Sequence, residues 1–250
     1  MNHNKNMFIT ITCAFIIIII ITITLIKKKA EWVIDRENSN KKATTLLSAE
    51  KSSPKHYEPK EFNLAMGPKK LSAKQIKDHK ELYVGYVNKR NEIEQALQTV
   101  DKSKANSTHS TFRSLKISEN FARNAAILHE LYFENIGTGT TIGPVSQELF
   151  IKNFGSLEAF KEDLMATALA ARGWAITCYN FDDQRVQNYL MDSHYEKVPI
   201  FCIPLLVIDT YEHAYMIDFG INRKEYLAIL WDNIDWNVVE ERVKITLGHI

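Results

Sequence analysis

Four side chains of this 250-residue sequence carry chemistry suited to a metal ion. Asp209 and His213 lie four residues apart at the end of an apolar run, so a carboxylate and an imidazole can face one point. His79 and His129 lie far upstream, in a region of different pattern. Imidazole and carboxylate groups together suit manganese, iron, cobalt and zinc better than calcium or magnesium. The four residues are therefore candidate ligands of one transition-metal ion.

The three histidines also admit a structural interpretation. A buried histidine on an apolar helix face is commonly a hydrogen-bonded core residue rather than a ligand. One zinc-protease motif is excluded, because Phe133 follows His129-Glu130 where an HExxH motif requires its second histidine. On spacing alone, a ligand role and a core role both stay open for each histidine.

Two long helices are the elements that must carry the upstream histidines. A capping-box signature begins at Ser72, and apolar residues then recur at helical spacing to about Val100. A second helix is predicted over about 112–136. The short polar connection between them favours an antiparallel hairpin, in which His79 and His129 both face inward and could meet.

The second half of the sequence has a different pattern. A helix beginning after Ser156 is followed by three short strands, predicted over about 174–179, 186–191 and 204–209. The last of these is apolar on both faces, which predicts that it is the central strand. Further helices are predicted over about 226–234 and 237–246. The fold class is α+β: an N-terminal helical hairpin domain and a C-terminal α+β domain with a small antiparallel three-stranded sheet.

An uncharged segment of 19 residues, Phe8–Ile26, contains ten isoleucines. At roughly 1.5 Å per helical residue it spans about 30 Å, the thickness of the hydrocarbon core of a bilayer. No suitable pair of small residues follows for signal-peptide cleavage, which favours an uncleaved transmembrane anchor over a cleaved signal peptide. Lys27, Lys28 and Lys29 favour a cytoplasmic C-terminal body, with an extracytoplasmic one as the alternative.

Composition bounds the remaining possibilities. The formal net charge is +1, so no basic excess indicates a nucleic-acid partner. Three scattered cysteines, Cys13, Cys178 and Cys202, form no CxxC motif, and whether the last two are close stays open. The predicted organisation is an anchor with its flanks over 1–29, a tether over 30–60, the hairpin domain over 61–137 and the α+β domain over 138–250.

The string Asp209 to Tyr215, DTYEHAY, resembles the D-x-[WY]-E-H-A-Y signature of the iron/manganese superoxide dismutase family. The resemblance covers about residues 62–247 and includes the region of His79, residues 124–133 and the pair Gly173-Trp174. It implies one mononuclear iron or manganese ion per subunit between the two domains. The ligands that it implies are His79, His129, Asp209 and His213.

The resemblance also implies the activity, conversion of two superoxide anions to O2 and H2O2 with a proton source beside the metal. Two alternatives stay open at this stage. One is a non-catalytic member that keeps the metal for stability. The other is a mononuclear iron oxygenase, which would use two histidines and one carboxylate with open coordination positions.

Ala125 and Val87 depart from the family pattern beside the implied metal, whereas His194 is similar to the histidine of some members. The helix position from which typical iron members extend a glutamine is Ala125, and an ungapped count from Pro204 places His194 at the other glutamine position. The resemblance therefore implies His194 as the hydrogen-bond partner of the metal-bound solvent. The family's active-site tyrosine falls on Val87 without a gap and on Tyr86 with a one-residue deletion, and Tyr83 is the second choice.

The family pattern also implies a homodimer. In it, Glu212 would hydrogen-bond the ligand His213 of the partner subunit, and Tyr215 would reach toward the partner's substrate funnel. Trp174 and Tyr211 would form walls of the site. Superoxide is the implied substrate, and the N-terminal segment is the implied membrane contact.

Overall fold

The computed structural model describes residues 27–29, 36, 41, 55–62, 64 and 70–248. The predicted membrane segment, residues 8–26, and most of the predicted tether lie outside these residues. Within the described ranges, no helix combines the length and apolar character that crossing a bilayer requires. The described residues from 55 onward belong to one compact unit, and the predicted boundary at residue 137 stays a prediction.

A pair of long helices forms the first half of this unit. Helix α1 spans Ala73–Thr99 and helix α2 spans Thr111–Glu134. Each begins at a serine whose hydroxyl accepts a backbone hydrogen bond, Ser72 from Gln75 N and Ser110 from Arg113 N. The second helix ends two residues earlier than predicted, because Ile136 leaves the helix and forms a β-bridge with Ile234.

Two shorter helices precede the sheet. Helix α3 spans Pro144–Phe154 and helix α4 spans Leu157–Ala170. The sequence interpretation missed α3, although Pro144 at its first position is a common helix-start signal. Gly155, with a φ of 89°, separates the two helices in a conformation that favours glycine.

The sheet has three antiparallel strands in the order β2-β1-β3. Strand β1 spans Trp174–Asn180, β2 spans Arg185–Met191 and β3 spans Cys202–Asp209. The prediction that the third strand is central was wrong, because β1 lies between the other two and is buried along its whole length. The apolar run of β3 has a different cause: this edge strand packs against α2 and against helix α7, Trp236–Gly248.

The chain after β3 returns toward the hairpin. A 3₁₀ turn at Glu212–Ala214 leads into the short helix α5, Met216–Phe219, and then into helix α6, Arg223–Trp231. Helices together with a small antiparallel sheet confirm the α+β class.

Asn135 fixes the end of α2 to β3. Its Nδ2 donates to the carbonyl of Val207 at 3.2 Å, and its Oδ1 accepts from the Val207 amide at 3.1 Å. Both groups of the side chain are paired, as a buried amide requires. This clamp sets His129, near the end of α2, beside Asp209 at the end of β3.

Candidate metal centre

Each candidate ligand lies on a different part of the fold. His79 is in the second turn of α1, His129 is near the end of α2, Asp209 ends β3, and His213 lies in the 3₁₀ turn that follows. The first three are buried and His213 is partly buried. One donor atom from each of the four lies within 4.8 Å of the others. We call this group the His-Asp cluster.

Asp209 Oδ2 lies at the centre of the His-Asp cluster. Its distances are 3.0 Å to His79 Nε2, 3.1 Å to His213 Nε2 and 3.6 Å to His129 Nε2. The other carboxylate oxygen accepts the backbone amide of Tyr211 at 2.9 Å. That hydrogen bond orients the carboxylate and leaves Oδ2 for the three imidazoles.

His129 shows that the cluster suits a cation. Its Nδ1 lies 2.7 Å from the carbonyl oxygen of Ala125, which can only accept, so Nδ1 carries the proton. The lone pair of a neutral imidazole is then on Nε2, which is buried and has no hydrogen-bond partner. A buried acceptor without a partner is costly, and a metal ion bound there would satisfy it.

Burial and neighbouring charges set the protonation states that metal binding needs. Burial lowers the pKa of His79, and it lowers that of His129 to about 3, so both imidazoles are neutral at pH 7. Burial alone would raise the pKa of Asp209, but its interactions with His213 and His79 outweigh burial and hold this pKa below its ordinary value. Neutral imidazoles and an ionised carboxylate are the ligand forms of these groups.

Gln75 is a residue that sequence reasoning treated only as part of a helix cap. Its Nε2 donates to the carbonyl of His213 at 2.5 Å, and its Oε1 accepts the Ile217 amide at 3.2 Å. It therefore ties the turn that carries His213 to the first turn of α1. Its burial to 1% exposure shows that this contact is part of the core.

A buried chain of side chains lies beside the His-Asp cluster. His194 is only 1% exposed, so it is not a surface loop residue. Trp174 Nε1 lies 3.0 Å from His194 Nδ1, and His194 Nε2 lies 3.3 Å from the Tyr86 hydroxyl. Because an indole N–H can only donate, Nδ1 is the acceptor and the His194 proton is on Nε2. Burial lowers the pKa of His194 to about 4, which keeps the ring neutral.

The two candidate tyrosines of α1 have different surroundings. The Tyr86 ring centre lies 5.2 Å from that of His129, and burial raises the pKa of its hydroxyl. The Tyr83 hydroxyl instead donates to Glu130 at 3.1 Å and accepts the Lys60 amide at 2.8 Å. Of the two, Tyr86 is the one that contacts His194.

Aromatic rings enclose the cluster. Tyr211 stacks on His213 with ring centres 5.1 Å apart, and Trp174 packs edge-on against His129 at 5.0 Å. Sequence reasoning missed Tyr226, whose hydroxyl donates to the Asp209 carbonyl at 2.9 Å and contacts the hydroxyl of Tyr132 at 3.0 Å. The spacing of these tyrosines carries no signal for contacts between α2, α6 and β3.

Glu212 and Tyr215, the residues predicted to act across a dimer, differ in exposure. The Glu212 side chain is 61% exposed and lies 3.8 Å from Arg223. Tyr215 is buried within the chain, where its ring stacks on Tyr226 and its hydroxyl accepts from Arg223 Nε at 3.2 Å. Roles for both toward a partner subunit stay predictions.

Comparisons with known proteins show similarity to one family. Residues 144–242 match the family described as iron/manganese superoxide dismutases, C-terminal domain. The chain is 40% identical over 192 residues to the superoxide dismutase [Fe] of Aquifex pyrophilus, covering 74% of this chain and 90% of the relative. It is 39% identical over 192 residues to that of Aquifex aeolicus, with the same coverage. It is also 29% identical over 164 residues to the superoxide dismutase [Mn] 2 of Haloferax volcanii, covering 64% of this chain and 79% of the relative.

Proposed function

Because the chain belongs to the iron/manganese superoxide dismutase family, we propose that its His-Asp cluster holds one ion of iron or manganese. The chain is an enzyme that converts two superoxide anions to O2 and H2O2. The convergence of four donor atoms within 4.8 Å carries the assignment of the ligands. When bound, the ion supplies one-electron redox chemistry, which the protein side chains lack.

The protein side chains supply the ligand charge and its orientation. Histidine binds a metal as the neutral imidazole, so with an ion bound the three histidines and one carboxylate would contribute a single negative charge to the site. Hydrogen bonds to the far side of His129 and to the second oxygen of Asp209 fix the direction of these two donor atoms. A third histidine beside the carboxylate favours the dismutase ligand set over the two-histidine oxygenase alternative.

Tyr86 and His194 are proposed to handle protons. Formation of H2O2 from superoxide consumes two protons, and both side chains lie beside the cluster. The Nε2–H of His194 donates to the Tyr86 oxygen, so the Tyr86 hydroxyl keeps its own proton for another acceptor, such as bound substrate. Trp174 holds His194 in this tautomer from the opposite side of the ring.

Metal analysis combined with a superoxide consumption assay tests this proposal. The full chain, purified from its native source, should contain one iron or manganese ion per chain and consume superoxide faster than the same amount of free metal. Stoichiometric metal with no rate above that of free metal would instead establish the alternative of a non-catalytic member that keeps the metal for stability.

We infer that the chain forms a homodimer through the surface beside Glu212. Three exposed apolar side chains lie within nine residues of it: Met216 at 44%, Ile217 at 46% and Ile221 at 92% exposure. Grouped exposed apolar residues are typical of interaction surfaces. A partner on this surface would place Glu212 within reach of a second copy of the chain.

Sedimentation velocity tests the dimer. The wild-type chain in detergent should sediment as a dimer, and Ile221→Lys should shift it toward the monomer because the lysine charge opposes burial. The matched control is Ile245→Lys, at a residue of α7 that is 53% exposed, and it should leave the dimer intact. A monomeric wild type, or equal effects of both substitutions, would contradict the assignment of this surface.

We further propose that the N-terminal segment tethers the enzyme to a membrane as a single-pass anchor. Support comes from the sequence of residues 8–26, which is free of charge for 19 residues. The three consecutive lysines from Lys27 favour a catalytic domain on the cytoplasmic side. Protease protection of the full chain in sealed vesicles of known orientation distinguishes this side from the extracytoplasmic one.

A further inference from the structure

Two cysteine thiols lie together at the opposite end of the sheet face from the metal centre. Cys178 and Cys202 both line a cavity of about 130 Å³ between α2 and the sheet. The remaining lining is mainly apolar and includes Ile127, Leu131 and Pro204. Neither thiol takes part in the proposed reaction, and both are reduced.

The strand register brings the two thiols onto one face. In the β1–β3 ladder Cys178 pairs with Pro204 and Asn180 pairs with Cys202. Side chains two residues apart on a strand point to the same side, so the two cysteines are diagonal neighbours over the same helix. The Cys202 thiol donates to Asn180 Oδ1 at 2.9 Å, which holds its sulfur at the β1–β3 ladder.

The surroundings of the two thiols differ. Burial raises the pKa of both, and Cys178 is the more deeply buried at 1% exposure. After burial, the interaction between the two thiols is a further cause: it raises the pKa of Cys178 and lowers that of Cys202. Cys202 is therefore the thiol more readily ionised and more accessible to a small oxidant.

We propose that Cys178 and Cys202 form a peroxide-oxidisable dithiol that closes to an intramolecular disulfide. The Cys202 thiolate attacks one oxygen of H2O2, the O–O bond breaks, and the products are a sulfenic acid and, after proton uptake, one water. The Cys178 sulfur then attacks the sulfenic sulfur, and the S–O bond breaks with loss of a second water. The balance is two thiols and one H2O2 giving one disulfide and two waters.

The source of the oxidant rests on the proposed function, because H2O2 is a product of dismutation. Cys178 lies four positions along β1 from Trp174 at the metal centre, a span of about 13 Å. The raised thiol pKa values make the oxidation slow, so it reports accumulated peroxide rather than single turnovers. Diagonal neighbours lie about 7–8 Å apart and a disulfide needs Cα atoms within about 7 Å, so closure requires backbone movement at Cys202, the first residue of β3 after the loop of residues 192–201.

Peptide mapping of the reduced full chain after direct addition of H2O2 tests the proposal. Trypsin should release peptides 173–185 and 198–223 as one disulfide-linked species, with a loss of two free thiols that a reductant reverses. Cys13→Ser is the matched control, and it should form the same link. No linked species at a peroxide dose that oxidises Cys202, or a link only between separate chains, would overturn the proposal.

Single substitutions test the order of the two steps. In Cys178→Ser the Cys202 sulfenic acid should persist and be trapped by dimedone, whereas in Cys202→Ser the buried Cys178 should stay reduced at the same dose. The opposite pattern would overturn the assigned roles. Because the peroxide is added, these outcomes are independent of whether the chain dismutes superoxide, which the separate superoxide assay measures.

Discussion

For His129 and Asp209, contacts on the side that faces away from the cluster decide which atom is available to a metal ion. The Ala125 carbonyl puts the His129 proton on Nδ1, and the Tyr211 amide occupies one oxygen of Asp209. Each contact leaves one atom directed at the centre of the His-Asp cluster. A substitution that keeps the shape of a side chain but changes its donor atom or charge can therefore test its role as a ligand.

Asp209→Asn keeps the shape of the side chain and removes its charge. We expect most bound iron or manganese to be lost and the activity to fall with it, because the carboxylate is the only anionic ligand in the described cluster. Elemental analysis and the superoxide assay measure both quantities. Asp232→Asn, at an exposed surface carboxylate, is the control and should retain metal. Full metal content in Asp209→Asn would contradict the ligand assignment.

Trp174→Phe tests the tautomer of His194. The substitution keeps an aromatic ring but removes the N–H that donates to His194 Nδ1, so we expect a mixture of tautomers and an activity loss of about 10-fold. Imidazole ¹⁵N shifts in the metal-free chain report the tautomer directly. Trp231→Phe makes the same change away from the site and should leave the His194 shifts unaltered. An unchanged Nε2–H signal in Trp174→Phe would argue against this positioning role.

The N-terminus of helix α3 is capped by a side chain from another helix. Its first residue follows Gly143, which provides no side-chain cap. The carboxylate of Glu240, from α7, takes that place by accepting the amides of Val145 at 3.2 Å and Ser146 at 2.8 Å. A negative charge at a helix N-terminus is favourable. A Cβ at Gly143 would collide with this carboxylate, so the glycine serves close approach.

Glu240→Gln should lower the free energy of unfolding by about 1–3 kcal/mol at neutral pH, since an amide replaces a charged acceptor. Burial alone would raise the pKa of Glu240, but hydrogen bonds from Ser146 and Val145 hold this pKa below its ordinary value of 4.5. The stabilisation is therefore complete above about pH 4.5 and is lost as the pH falls through the lowered folded-state pKa.

Urea unfolding of Glu240→Gln and wild type as a function of pH measures this difference. The difference in free energy of unfolding between Glu240→Gln and wild type should become smaller as the pH falls. Glu241→Gln, at an exposed neighbouring residue, should have the wild-type free energy of unfolding at every pH. A difference in free energy of unfolding that grows as the pH falls would contradict the role of Glu240 as the cap of α3.

The sequence joins an uncharged apolar segment, residues 8–26, to the region that contains the His-Asp cluster. A dismutase protects the compartment in which it lies, because a small anion crosses the hydrocarbon core of a bilayer poorly. An anchor over residues 8–26 would hold the enzyme at one membrane face. Near-zero net charge is compatible with that role, since no nucleic acid or acidic polymer has to be bound.

Ile18→Lys places a charge at the centre of the proposed anchor. Insertion should become less favourable by about 2.5–3.5 kcal/mol, so a larger share of the full chain should leave the membrane on carbonate extraction. Ile18→Leu is the control and should remain with the membrane pellet. Wild-type chain found in the supernatant would rule out the anchor.

The sequence alone predicted the candidate ligands, the helical hairpin and the strand segments. These predictions depend on local periodicity and on the DTYEHAY string. Both are patterns of residues that lie close together in the sequence. The family resemblance rested on the same residues, and the comparisons confirm it.

Three features are known only from the tertiary structure: the order of the strands, the cap that Glu240 provides for α3, and the tautomer of His194. Strand β3 is apolar because it is buried against α2 and α7. A central strand has the same apolar pattern, so hydrophobicity alone predicted the wrong strand as central. The bond from Trp174 to His194 and that from Glu240 to Ser146 join residues 20 and 94 positions apart. No periodicity of 2 or 3.6 residues encodes such contacts, because they depend on how separate elements pack against one another.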